Sequence, residues 1–335
     1  MFKDFLSYDE AFKQEDGLRL DIDFSKLCNY GIKALDDPLL AIAKNELVII
    51  GADSGVGKSS LVLDIARHNA KSGKRVGLFY LEGGHIEAIQ RMKWGDITNY
   101  YYNHKGEHEY KDLDFRKWAL NCCKDLTDLS SKVYEESKDK YKNNLFLYPI
   151  SEEFKVEELL SSLVEFHKLS DKKFGEFKEG FYDLDLIIID HLQYFSLDQS
   201  DSEITEITRI IRECKKITDH YNIPVILVSH LRKKGKDRGL PDQEDFYGSS
   251  NIPKIATTAI TIAPDTKEDD LANNIFPTYF RIVKSRIGLR NNYAIRCNYN
   301  LNLREYEKNY KIFRLDGAGN ICPELKPEQL PKWAK

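Results

Sequence analysis

No apolar run in the sequence approaches the roughly eighteen residues that a membrane-spanning helix requires, and no charged, apolar and small-residue progression of a secretion signal opens the chain. These absences point to a soluble, cytoplasmic protein with no membrane partner. The six cysteines (Cys28, Cys122, Cys123, Cys214, Cys297, Cys322) form no CxxC pair, and the adjacent Cys122 and Cys123 are unsuited to a disulfide framework. Reduced thiols fit best. A broad excess of positive charge is missing too: 50 Lys and Arg stand against 54 Asp and Glu, a net charge of −4. A protein that coats nucleic acid with its whole surface is therefore excluded, and any such contact must be local. No internal repeat or low-complexity segment is evident.

What is present is length and alternation. With 335 residues the chain is long enough to bury a core without disulfides. From Glu46 onward, apolar runs bounded by polar turns recur at 47–51, 76–81, 184–190, 223–230 and 257–263, with helix-patterned stretches between them. Continuous apolar runs are what a parallel sheet buried on both faces requires, so the pattern predicts an α/β fold with a mostly parallel twisted sheet flanked by helices. Residues 276–286 and 292–300 read as antiparallel strands extending it. Residues 1–29 read as an arm carrying an amphipathic helix, with Phe2, Phe5, Leu6 and Phe12 needing a surface such as a neighbouring subunit. Residues 30–320 read as the domain itself, with a polar, helical elaboration at about 94–180 that includes a short strand near 145–150. Residues 321–335 read as a tail.

The chemistry concentrates where the first strand ends. Residues 52–60, Ala-Asp-Ser-Gly-Val-Gly-Lys-Ser-Ser, follow a strand and precede a helix, the context of a phosphate-binding P-loop, with Ala52 where the first glycine often stands. The backbone N–H groups of Asp53, Ser54, Gly55, Val56, Gly57 and Ser60 would converge on phosphate oxygens, Lys58 would neutralise charge, and Ser59 would ligate magnesium. Asp190, closing a buried strand, is the expected second magnesium partner. Glu82 ends the run at 76–81 and is placed to polarise an attacking water. His230 ends the run at 223–230, where it would sense a γ-phosphate. Beyond it, Arg232, Lys233, Lys234, Lys236 and Arg238 form a basic cluster suited to gripping a phosphate backbone.

In order and spacing, the segments around Lys58, Glu82, Asp190-His191-Leu192-Gln193, residues 203–216, His230, residues 245–263 and Lys284-Ser285-Arg286 resemble the ATPase domain of the DnaB-like replicative helicases, a RecA-type P-loop NTPase family. The likeness runs from about Tyr30 to Tyr299. It implies an ATP- and Mg²⁺-dependent, 5′-to-3′ DNA helicase working as a ring, usually hexameric. In such a ring Lys284 touches a neighbour's γ-phosphate and Arg286 acts as an arginine finger. It also implies two channel segments that track single-stranded DNA, one around Phe195 to Ser202 and one from Lys233 to Gly248. Tyr299 falls where some members stack an aromatic ring on adenine. The arginine that sandwiches the base in some relatives is not evident near Pro264 and Asp265.

The resemblance leaves room for loader, replication or defence proteins as partners. Two rival readings remain open on sequence alone: an ATP-switched DNA-binding or scaffolding protein in recombination, plasmid maintenance or phage defence, and a KaiC-like regulatory ATPase directed at protein.

Overall fold

A computed structural model describes residues 6–104, 113–149, 154–174, 184–197, 202–232, 239–248, 251–265, 274–286, 289 and 292–335. The chain begins with helix α1 (Tyr8–Leu20), closed at its start by a reciprocal capping box between Ser7 and Glu10. Leu6 therefore precedes the helix, while Phe2 and Phe5 lie outside the described residues. A short helix α2 (Lys33–Leu39) leads into the central strand β1 (Leu47–Ala52). Helix α3 (Lys58–Lys71), strand β2 (Val76–Tyr80), helices α4 (Gly84–Asn103), α5 (Phe115–Ala119) and α6 (Lys124–Tyr141), strand β3 (Leu145–Leu147) and helix α7 (Val156–Phe174) follow. The expected elaboration is thus largely helical with one three-residue strand.

Strand β4 (Leu186–Asp190), helix α8 (Glu203–Tyr221), strand β5 (Val225–His230), the single turn α9 (Ile252–Ile255) and strand β6 (Thr258–Pro264) complete the parallel part. Four antiparallel strands then extend the sheet: β7 (Ile275–Ser285), β8 (Tyr293–Asn300), β9 (Glu305–Leu315) and β10 (Ile321–Glu324). The spatial order is β10-β9-β8-β7-β6-β1-β5-β4-β2-β3. Strands β9 and β10 lie beyond the two antiparallel strands expected from sequence. The segment read as a tail instead pairs β10 with β9 and packs Trp333 against the core.

Alternation along the buried strands explains this order. Val48, Ile50 and Ala52 of β1 join one core with α2 and α3, whereas Leu47 and Ile49 join the other, with α7, α8 and α9. Leu186 and Ile188 against Ile187 and Ile189 in β4 divide the same way, as do Ile226 and Val228 against Val225 and Leu227 in β5. Each fully buried side chain contributes on the order of 2 kcal/mol. A one-residue slip would exchange the two sets of shapes, so packing on both faces holds the register.

Candidate nucleotide site

The carboxyl ends of β1, β5, β4 and β2 meet along one edge of the sheet. Ala52 pairs in register with His230, and Tyr80 with Asp190. The chain turns sharply after each strand, so the residues that follow face a common space, where open α/β sheets bind ligands.

Residues 53–57 form the turn from β1 into α3. Gly55 and Gly57 have φ of 81° and 94°, backbone that favours glycine, and a Cβ added at either would meet nothing within 4 Å. The turn is an open cradle at a helix N-terminus, with no side chain in the way. Lys58, the first residue of α3, is 6% exposed, and its Nζ donates to the Asp53 carbonyl at 2.8 Å. Burial lowers its pKa, while Asp190, Glu82 and Asp53 act in the opposite sense.

Asp190 is fully buried, and neither carboxylate oxygen has a hydrogen-bond partner. Burial pushes its pKa up to about 6; the Ser59 hydroxyl is near enough to oppose that shift without making a well-formed bond. A buried carboxylate left unsatisfied beside a serine hydroxyl at a phosphate cradle is a poor structural choice but a good donor pair for a hard divalent cation. The residues present therefore fit a magnesium ion.

Glu82 lies beyond β2, where Leu81 and Glu82 donate their backbone N–H to the Asp190 carbonyl at 2.6 and 3.3 Å. Its carboxylate is half-exposed, with Oε2 at 3.8 Å from His191 Nε2. That approach is no salt bridge at neutral pH, because burial and the neighbouring His230 lower the His191 pKa to about 4. His230 Nε2 lies 3.1 Å from His191 Nε2. Gln193 Oε1 accepts the His230 backbone N–H at 3.1 Å and sits 3.0 Å from His191 Nδ1. Two facing acceptors would repel, so we assign the His191 proton to Nδ1; the Gln193 backbone N–H approaches the same nitrogen less closely, at 3.3 Å. His191 Nε2 then accepts from His230. Gln193 Nε2 donates to Ser229 Oγ at 3.2 Å, completing a polar link between the loops after β4 and β5.

Lys284 and Arg286 are not part of this cluster. Ser285 pairs with Thr258 at the start of β6, whereas Ile262 pairs with Ala52 at the cradle. Those four residues of strand separate the two levels by roughly 13 Å. Lys284 Nζ donates to the Pro253 and Lys254 carbonyls at 2.7 Å each, and Arg286 is exposed. Tyr299 packs on Tyr306 with the rings tilted by 55° and their centroids 4.9 Å apart, and lines a cavity that also reaches Ser60.

Of the basic cluster, Arg232 is exposed and tied through its backbone N–H to Asp245 O at 2.7 Å. Lys233, Lys234, Lys236 and Arg238 lie outside the described residues. Phe195, expected in a channel segment, is instead 3% exposed and packed on Phe154 at 5.2 Å, because an aromatic ring beside a half-open core gains more from burial. Residues 198–201 lie outside the described residues. Sequence reading missed Arg91, whose charge acts on both Tyr80 and Asp190. Its signal was position alone, two turns into the helix that follows Glu82.

Comparison with known proteins adds lineage to this geometry. A "Probable plasmid replicative DNA helicase" of Chlamydia trachomatis is 24% identical over 235 residues, covering 69% of this chain and 46% of that protein. A "Replicative DNA helicase DnaB" of Mycoplasma pneumoniae is 23% identical over 308 residues, covering 84% and 58%. The chain thus spans about half the length of the curated relatives it matches. Among solved structures, an isolated ATPase domain superposes with a TM-score of 0.66 at 19% identity, over 90% of this chain and 99% of that one. A DnaB-like replicative helicase, studied with its interactions with primase, gives 0.62 at 18% identity over 94% and 68%. These two show a shared RecA-like ATPase fold. The family model for the "DnaB-like helicase C terminal domain" matches residues 28–138 and 154–308, most of the chain, and the chain belongs to that family.

Proposed function

We propose that this chain hydrolyses ATP with Mg²⁺ at the interfaces of a homo-oligomeric ring and uses the cycle to move along single-stranded DNA. The observation that carries the reading is the separation, along the sheet, of residues that the family resemblance assigns to one catalytic set. Lys58, Asp190, Glu82 and His230 converge at the cradle, while Lys284 and Arg286 stand at the opposite level, too far away to serve their own nucleotide. Two subunits are then needed to complete one site.

In this reading Lys58 and the backbone of residues 53–60 hold the phosphates. Ser59 and Asp190 hold the magnesium ion, which supplies charge neutralisation at the phosphates. Glu82 orients and deprotonates the attacking water. His230 and Gln193 report the phosphate state to the loops beyond β4 and β5, where Arg232 and the basic cluster meet DNA. Helix α1 supports assembly: Tyr8, Phe12 and Leu20 are 85%, 53% and 70% exposed, an apolar surface that a neighbouring subunit would cover.

The test is steady-state ATP hydrolysis with and without single-stranded DNA, across protein concentrations and at two salt levels, with Lys58→Ala as the control. DNA stimulation that grows with assembly and weakens with salt supports the reading. Turnover indifferent to DNA would favour a regulatory ATPase directed at protein.

A further inference from the structure

Resting on the nucleotide-site reading above, we propose that His191 is a positioning residue that sets how well the site tells a nucleoside triphosphate from a diphosphate. With no γ-phosphate present, its Nε2 accepts the single ring N–H of His230, and a γ-phosphate must win that donor away.

Neighbouring strands bring the pair together. The register of β4 on β5, Ile189 beside Leu227, carries the two chains forward to His191 and Ser229, one residue short of His230. The imidazoles meet edge to face, with centroids 4.3 Å apart and planes at 76°, and their Nε2 atoms are 3.1 Å apart. Two ring nitrogens at that distance share one proton, because two lone pairs or two N–H groups would repel. Gln193 decides which ring gives it. Its Oε1 accepts the His230 backbone N–H and faces His191 Nδ1, which puts the His191 proton on Nδ1 and leaves Nε2 a lone pair. Glu82 Oε2, 3.8 Å from that Nε2, is beyond hydrogen-bond reach and is itself an acceptor, so it cannot take the place of His230.

The two rings differ in freedom. His191 is 1% exposed and held on three sides, by Gln193 at Nδ1, by His230, and by Tyr194 edge-on with centroids 4.7 Å apart. His230 is only partly buried, at the open end of β5 beside Ala52, where the cradle begins. Burial and the Lys58 charge lower its pKa, so at pH 7 it is a neutral ring with one N–H. That N–H cannot serve His191 and a phosphate oxygen at once. A diphosphate leaves the bond between the rings intact, whereas a triphosphate gains the phosphate contact and loses this one. The fixed ring therefore works against the triphosphate alone, and it keeps the sensor in one defined position until the third phosphate arrives.

The experiment measures binding of Mg-ADP and of a non-hydrolysable Mg-ATP analogue by calorimetry. The chains compared are wild type, His191→Phe, His191→Gln, His230→Ala and the double variant His191→Phe with His230→Ala. Phenylalanine keeps a ring without an acceptor, while the glutamine carbonyl oxygen can stand where Nε2 does. Loss of one neutral hydrogen bond is expected to tighten the ATP analogue about fivefold in His191→Phe, with ADP unchanged. His191→Gln should return to the wild-type value, and the Phe substitution should change nothing once His230 is Ala. Equal changes for both nucleotides in His191→Phe mean that His191 acts through the fold and overturn the proposal. A preference for the ATP analogue that stays at the wild-type value, or falls, overturns it too, as does a Gln variant that behaves like Phe. Wild-type protein that binds both nucleotides with a preference untouched by His230→Ala loses the sensor but keeps the phosphate site, whereas protein that binds neither nucleotide loses the nucleotide-site reading itself.

Discussion

Asp64 shows how one side chain couples stability to pH in this molecule. Burial pushes its carboxyl up to about 7, with Arg67, at 3.2 Å, opposing the shift. An acid whose folded pKa stands above its unfolded value of about 3.9 keeps its proton longer when folded. Folding therefore takes up a proton between about pH 4 and 7, and stability falls as pH rises through that window. Asp64→Asn removes the penalty and keeps the shape. Its urea midpoint is expected to gain on wild type as pH rises from 5 to 8, by on the order of 2 kcal/mol, a figure discounted because the side chain is 19% exposed. A difference that does not change with pH would show that Asp64 is ionised in both states and that its pKa is not raised by folding. The same buried network holds Asp96, which accepts from Lys71 at 2.6 Å and Tyr141 at 2.7 Å and so ties α3 to α4 and α6. None of these partners was visible in the sequence, where Asp64 reads as one more charge on a helix.

Among the elements, the loop after β5 depends on a single glycine in β1. Leu231 and Phe246 bridge at the neck of that loop and pack over Gly51, where a Cβ would come within 2.7 Å of each. Both side chains are buried, so neither has room to withdraw. Gly51→Ala is expected to cost about 1–3 kcal/mol in denaturant unfolding and to loosen the neck. Nucleotide binding should persist while DNA stimulation of turnover declines. Stimulation at the wild-type level in a destabilised variant would show that the neck does not transmit the nucleotide state. The apolar runs at 47–51 and 223–230 identified β1 and β5 because a strand buried on both faces has one composition. The neck stayed hidden because a glycine inside such a run says nothing about which distant side chains approach it.

For the whole molecule, the question is whether one chain suffices for chemistry. Lys284 and Arg286 flank Ser285, which pairs with the first residue of β6, and the cradle stands at the opposite edge. Turnover per chain is expected to rise with protein concentration for wild type. Arg286→Ala should lower it by at least tenfold at assembling concentrations and leave the low residual rate of dilute chains unchanged. Dilute wild-type chains with full activity would remove the need for an interface. Deleting residues 1–22 should shift assembly to higher concentration with the α/β core still folded, because α1 packs little against that core and exposes Phe12 and Leu20. Sedimentation velocity reads both effects.

The sequence by itself determined the β1–cradle–α3 unit, the carboxylate ending β4 and the alternation of strands and helices. Each follows from local rules: glycine where φ is positive, a lysine and serine opening a helix, apolar runs where both strand faces are covered. Only the tertiary structure decided that His191, His230 and Gln193 share hydrogen bonds, that Phe195 is core, and that Phe115 from the elaboration stands beside Tyr299 across a cavity. It also decided that Lys284 lies at the far level of the sheet from Lys58. Those facts depend on strand order and helix packing, which bring together residues as far apart in the chain as Ala52 and Ile262, 210 positions (262 − 52). No local pattern encodes such a distance, because many sheet orders satisfy the same alternation and only packing on both faces selects one.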